Sequence, residues 1–118
     1  MIEVSRIRET LARTPRFVER VFTEKERAYC DSKGAAAAQA YAARFAAKEA
    51  ALKALRTGWR GSVRWHDIEI SNDENGAPLI EIKGEARKIF DGSGANVAHL
   101  SLSHTTEHAI ATVILEKL

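Results

Sequence analysis

Residues 41–58, YAARFAAKEAALKALRTG, constrain this chain more than any other stretch. Ala, Leu, Lys, Glu and Arg lose little freedom on entering a helix, so the segment predicts a long one. The Ala tract at residues 35–40 extends the tendency, placing the helix start about two turns before Tyr41. Gly58 supplies a stop, because glycine reaches the left-handed conformation that ends helices. Phe45, Glu49 and Lys53 recur every four residues and share one face, with Arg44 and Lys48 one step round from it. A carboxylate with Arg44, Lys48 and Lys53 around it suits a metal–polyphosphate site: a hard oxygen ligand beside cations for phosphate oxygens. The same pattern describes a solvated helix whose Glu and Lys side chains pair with one another, and on spacing alone that is the commoner case.

Composition narrows the class. At 118 residues the chain is expected to form one domain, residues 1–118, with limited capacity to bury surface alone. A net charge of +2 is too small to argue for nucleic acid, and no interleaving of aromatic and basic residues supports it. Cys30 is the single cysteine, so no intrachain disulfide forms and a reducing cytoplasm fits. No apolar run reaches membrane-spanning length, and the first residues lack the basic-then-apolar order of a secretory leader.

The first four residues read as the tail of a strand. Residues 5–12 form a short helical pattern with Ser5 as N-cap, and Thr14 caps a second start with Pro15 at the first helical position. Phe17, Val18, Val21 and Phe22 make the apolar stripe of that second piece. Between residues 5 and 20, five arginines (Arg6, Arg8, Arg13, Arg16 and Arg20) against Glu9 and Glu19 leave a local charge of +3. On charge alone such a face is ordinarily a solvated one. Thr23 and Glu26 have capping-box spacing and start another helix, through about Asp31. Residues 59–62 read as a loop.

The second half changes period. Residues 65–71 alternate, with Ile68 and Ile70 on one face and Asp67 and Glu69 on the other. Residues 72–78 are rich in turn formers and 79–83 resume alternation, which predicts a hairpin. One or two helical turns follow at 84–90, a loop at 91–96, and two strands at 97–103 and 109–116. Helices first and antiparallel strands after give an α+β fold. His99, His104 and His108 lie close in sequence, but no cysteine accompanies them and a zinc site is not expected. His104, at a strand end among Ser101, Ser103 and Thr105, is suited to gripping a phosphate.

The run Arg44-Phe45-Ala46-Ala47-Lys48-Glu49-Ala50, followed by Lys53-Ala54-Leu55 and Thr57-Gly58, resembles the signature of the holo-acyl-carrier-protein synthases, the small bacterial-type 4′-phosphopantetheinyl transferases. Asp67-Ile68-Glu69-Ile70, the turn Asn75-Gly76-x-Pro78 and Leu100-Ser101-Leu102-Ser103-His104-Thr105 match the family in order and approximate spacing. So do Ile2-Glu3-Val4-x-Arg6-Ile7 and Phe22-Thr23-x-x-Glu26, so the likeness covers almost the whole chain. It implies a 4′-phosphopantetheinyl transferase-like fold, with N-terminal helices packed on an antiparallel sheet, assembled as a homotrimer whose active sites cross subunit boundaries. It implies that coenzyme A donates its 4′-phosphopantetheine arm to a serine of apo acyl carrier protein, with Mg²⁺ bridging carboxylates and pyrophosphate, in fatty acid biosynthesis. Glu49 is then a metal ligand, and Lys53 neutralises charge on the phosphate and leaving group. Arg44, Lys48, His104 and Thr105 become phosphate contacts, and Arg6, Arg13 and Arg16 fall where the family docks acyl carrier protein. A metal-held water and a carboxylate are both open as acceptors of the serine proton.

Two departures from the family pattern stand out. The family opens on Gly-x-Asp just before the position of Met1, and that Asp is its second metal carboxylate; Glu3 is a nearby carboxylate here. The expectation is either a start upstream of Met1 or a metal held by Glu49 with substitutes. Arg56 stands where the family usually has Gly. A non-catalytic module that docks acyl carrier protein is the alternative function. A nucleic-acid-binding domain rests only on the basic helix and predicts steep salt dependence that is not expected here.

Overall fold

In the computed structural model, which describes residues 1–55 and 63–118, the N-terminal helices gather round one long helix. The chain enters through a two-residue strand β1 (Ile2–Glu3), then α1 (Val4–Arg13), α2 (Pro15–Val21), α3 (Glu24–Asp31) and a 3₁₀ turn (Gly34–Ala36) before α4 (Ala37–Ala54). A second 3₁₀ turn (Trp65–Asp67) leads into β2 (Ile68–Asn72), β3 (Pro78–Ile82), α5 (Gly84–Gly92), β4 (Val97–His104) and β5 (His108–Glu116). The α+β class and the order of helices before antiparallel strands are as expected. The expected stop at Gly58, the loop at 59–62 and the departure at Arg56 lie outside the described residues.

Local chemistry explains most starts. The Thr23 hydroxyl accepts from the Glu26 amide at 3.3 Å while Glu26 Oε1 accepts from the Thr23 amide at 2.8 Å, closing the capping box that begins α3. The other two predicted caps are corrected. Helix α1 starts one residue early with Glu3 as N-cap, and neither Glu3 nor Thr14 makes a side-chain cap bond. There β1 pairing and Pro15 set the helix starts. Residues 65–67 form a 3₁₀ turn instead of strand, because the Asp67 carboxylate turns back to accept from the Arg64 amide at 3.2 Å.

Two sheets result. One runs β1-β5-β4, with Ile2 opposite Ala109 and His104 opposite Ala109 across the other edge; the second is the β2–β3 hairpin, with Ile70 opposite Ile80. Helix α4 lies between two apolar clusters. On one side it meets Val4, Ile7, Val21 and Phe22; on the other Ala47, Ala51 and Leu52 pack with Ile68, Ile70, Ile82 and Phe90. A helix buried most of the way round cannot be amphipathic, and the many alanines of α4 allow that close approach. Trp65, Phe45, Phe17, Phe22 and Tyr41 form a chain of rings with centroid separations of 5.3, 5.7, 6.1 and 4.9 Å, fastening α2 to α4.

Glu69 ties the second sheet to α3. Its Oε2 accepts from the Thr23 hydroxyl at 2.6 Å and its Oε1 faces the Lys83 ammonium at 3.3 Å. Burial alone would raise this carboxyl, but the Thr23 and Lys83 contacts outweigh it and hold it below the usual carboxylate range. A depressed carboxyl adds stability that is complete above its unfolded value of about 4.3 and is lost as pH falls through the folded value. Thermal melts on the acid side should therefore show Glu69→Gln losing less stability between neutral and acid pH than the wild type does.

Candidate functional site

A helix of 3.6 residues per turn places Lys48 about 40° and Glu49 about 140° round the axis from Arg44. The four ionisable groups of α4 thus divide between two sides. Arg44 and Lys48 look toward α3 and β2; Glu49 and Lys53 share the face of Phe45. Glu49 is half-buried and Lys53 exposed, and neither has a hydrogen bond or ion pair with any described residue. The ring of three cations about Glu49 expected from spacing is corrected to Lys53 alone.

Lys48 is the clearest correction. Its side chain is fully buried, and its three donors go to Glu26 Oε1 at 2.7 Å, the Ile68 carbonyl at 2.6 Å and the Trp65 carbonyl at 3.0 Å. Glu26 is equally buried, and its Oε2 accepts from the Ile70 amide at 2.8 Å. Burial pushes the ammonium pKa down while Glu26 and Glu69 pull it back. With every donor spent inside the protein, Lys48 has none for a phosphate. It joins α3, α4 and β2 instead.

Arg44 turns into a cleft of about 340 Å³ whose walls include Tyr29, Lys33, Asn72, Gly76, Leu102 and His104. The structure therefore brings Arg44 and His104 together, as phosphate contacts would require. Only 3% of Arg44 is exposed; one terminal nitrogen donates to Asn72 Oδ1 at 2.6 Å and its guanidinium carbon sits 3.8 Å from the Tyr29 ring centre. Its Nε is buried with no partner among the described residues. Asn72 in turn donates to the Gly76 carbonyl at 3.0 Å, tying the arginine to the hairpin tip, where Gly76 adopts φ +85°. Thr105 is not in this cleft wall. Its hydroxyl oxygen accepts from the Glu107 and His108 amides at 3.2 and 3.1 Å and caps the β4–β5 turn.

A second hollow, of about 300 Å³, lies between α1 and α4 and is lined by Met1, Glu3, Arg6, Ile7, Phe17 and Phe45, among others. It carries Arg6 and Glu3 onto the side of α4 that bears Glu49. Arg13 and Arg16 are exposed at the α1–α2 junction. Tyr29, Lys33 and Asn72 were missed in the sequence reading. The four-residue spacing of Tyr29 and Lys33 was a signal for those two; nothing local marks Asn72, which arrives through hairpin packing. No cluster of three or more His, Cys, Asp or Glu side chains able to hold a metal occurs among the described residues.

Comparison with known proteins adds an independent line. The model of the 4′-phosphopantetheinyl transferase superfamily matches residues 2–113. A holo-[acyl-carrier-protein] synthase from Koribacter versatilis is 48% identical over 117 residues, covering 98% of this chain and 93% of the relative. One from Trichlorobacter lovleyi is 44% identical over 116 residues, covering 98% and 91%. Among solved structures, the Bacillus anthracis holo-(acyl-carrier-protein) synthase in complex with CoA (3′,5′-ADP) is 39% identical with a TM-score of 0.80, covering 99% of this chain and 91% of that one. The Helicobacter pylori enzyme in complex with coenzyme A is 30% identical with a TM-score of 0.82, covering 98% and 95%.

The separation of Lys48 from Glu49 is directly measurable. Lys48→Met strands a buried carboxylate and should cost about 3–5 kcal/mol in urea denaturation. Glu49→Gln should stay within about 0.5 kcal/mol of wild type, since nothing described depends on that carboxylate.

Proposed function

Because the chain belongs to the 4′-phosphopantetheinyl transferase superfamily and groups there with the holo-[acyl-carrier-protein] synthases, we propose that it transfers 4′-phosphopantetheine from coenzyme A to a serine of apo acyl carrier protein. The observation that carries the reading is a half-buried Glu49, unpaired among the described residues and on the same helical face as Lys53, on the same helix as an Arg44 that shares a cleft with His104. In the reaction the serine oxygen forms a bond to the phosphorus that carries pantetheine. The bond from that phosphorus to the bridging oxygen breaks, and adenosine 3′,5′-bisphosphate leaves with the electron pair. The serine proton passes to a base. Such displacements depend on positioning and charge neutralisation more than on covalent protein chemistry.

The residues fit a divalent cation. Mg²⁺ is commonly held by one or two carboxylates together with substrate phosphates, and Glu49 is a carboxylate with no competing partner among the described residues. Glu49 would hold it, and when bound the ion neutralises charge on the diphosphate. Lys53 supplies a mobile cation for the leaving group, and Arg44 and His104 grip the nucleotide end of the donor. Arg6, Arg13 and Arg16 present positive charge to an acidic carrier protein, which raises the association rate more than the affinity.

Geometry also favours a homotrimer with shared sites. Arg44 and Glu49 face about 140° apart on one helix, so a single donor molecule reaching both faces draws them from two copies. The outer face of the sheet offers apolar contact, since Ile110 and Ile114 of β5 are 48% and 58% exposed. Cytoplasmic location and a role in fatty acid synthesis go with this reading; no helix among the described residues is long and apolar enough to cross a membrane.

Mass spectrometry tests the reaction. Apo acyl carrier protein incubated with this chain, coenzyme A and Mg²⁺ should gain the phosphopantetheine mass, and omission of Mg²⁺ should abolish the gain. Lys53→Ala should lower kcat by roughly 10²–10³, as loss of a transition-state charge contact does elsewhere. Carrier protein that binds but never gains mass would leave only a docking module. In the same assay Arg13→Ala with Arg16→Ala should raise KM for carrier protein several-fold at low salt, with KM for coenzyme A unmoved.

A further inference from the structure

We propose that His66 is a positioning residue for carrier-protein docking: it caps the open end of α2 and so aims Arg20 at the partner. The inference rests on acyl carrier protein docking against the arginines of α1 and α2, and it concerns two residues to which that reading assigns no task. Helix α2 has only seven residues, too few to persist without outside support. Its first turn has that support in Phe17, whose ring centroid lies 5.7 Å from that of Phe45 on α4. Its last turn lacks the usual continuation. The amide that would close the Glu19 carbonyl in a longer helix is that of Thr23, and it donates instead to Glu26 Oε1 at 2.8 Å, inside the capping box of α3. The ring Nε2 of His66 takes its place, 2.7 Å from the Glu19 oxygen. A carbonyl only accepts, so this nitrogen carries the proton.

His66 is mounted on an anchored turn. The carbonyl of Trp65 accepts from the buried Lys48 ammonium at 3.0 Å, the Trp65 ring lies 5.3 Å from Phe45, and the Asp67 carboxylate accepts from the Arg64 amide at 3.2 Å. The half-buried imidazole is therefore a strut from that turn to the end of α2. Arg20 directly follows Glu19, is exposed, and forms no ion pair among the described residues. Arg20, Arg64, Trp65 and His66 line one open hollow of about 520 Å³, so the strut and the guanidinium stand on the same surface. Arg16 and Arg20, four apart, share one face of α2, and Arg20 carries its charge to the capped end. An arginine that meets a partner's carboxylate in direct contact must be held in a fixed place. Holding the helix end beforehand removes part of the ordering cost of binding.

A helix cap also contributes to stability, so the test separates aim from folding. With apo acyl carrier protein, coenzyme A and Mg²⁺, His66→Ala should raise KM for carrier protein about fivefold, the size of one net hydrogen bond, with kcat and KM for coenzyme A unmoved. His66→Gln should restore most of the loss, since the glutamine amide presents an N–H donor. Arg20→Ala should raise the same KM, and adding His66→Ala to it should change little further. Hydrogen exchange reads the helix end without turnover: the amides of Val21 and Phe22 should exchange faster in His66→Ala and near wild-type rates in His66→Gln. Full additivity of His66→Ala and Arg20→Ala overturns the proposal. So does a carrier KM that His66→Ala leaves unmoved while Arg13→Ala with Arg16→Ala raises it, and the docking reading then stands. If Arg13→Ala with Arg16→Ala leaves that KM at its wild-type value, the docking reading fails and the proposal with it, and His66 is a cap of α2 alone.

Discussion

The pair formed by Lys48 and Glu26 is the interaction on which the rest of this structure depends. Both side chains are completely buried, and between them they satisfy two amides and two carbonyls drawn from α3, the turn before β2 and β2 itself. A buried ion pair is stabilising only when its geometry is good and its remaining hydrogen-bonding capacity is filled, and both conditions hold here. Its value is chiefly orientational. A helix as rich in alanine as α4 has few side chains large enough to set its rotation by packing alone. The pair pins that rotation, and the aromatic chain from Trp65 to Tyr41, whose Phe22 ring lies 5.8 Å from the Lys48 ammonium, packs beside it.

With the rotation fixed, the functional groups have no choice of direction. Glu49, one residue after Lys48, comes out on the Phe45 face. Arg44, one turn before Lys48, comes out where Tyr29 and the hairpin tip meet. The helix therefore divides a carboxylate side, which bears Glu49, from a cationic side around Arg44. The donor of the proposed reaction has two anionic regions. In the proposed assembly, copies of one chain would bring the two sides to face each other.

Much of the local structure was legible beforehand because its causes are short-range. The capping box at Thr23 and Glu26 closes within four residues, the hairpin turn at Asp73 to Ala77 is held by a single aspartate, and strand alternation placed β2 through β5 to within a few residues. The misreadings have equally plain origins. Trp65 continues an alternating pattern, yet the Asp67 side chain competes for the backbone and winds it into a 3₁₀ turn. Ser5 and Thr14 are suitable caps that go unused because a strand pairing and a proline act first.

The sequence by itself determined the class of fold, the family, the identity of Glu49, Lys53, Arg44 and His104 as the groups worth watching, and the basic character of the first two helices. These follow from composition, period and motif order, all of which survive without coordinates. Only the tertiary structure decided that Lys48 is an interior group, that Thr105 is a turn cap, and that Tyr29, Lys33 and Asn72 complete the Arg44 cleft. A lysine four residues from an arginine reads the same whether it faces solvent or protein. What separates the two is a carboxylate 22 residues earlier and carbonyls 17 and 20 residues later, and such partners are brought together only by packing.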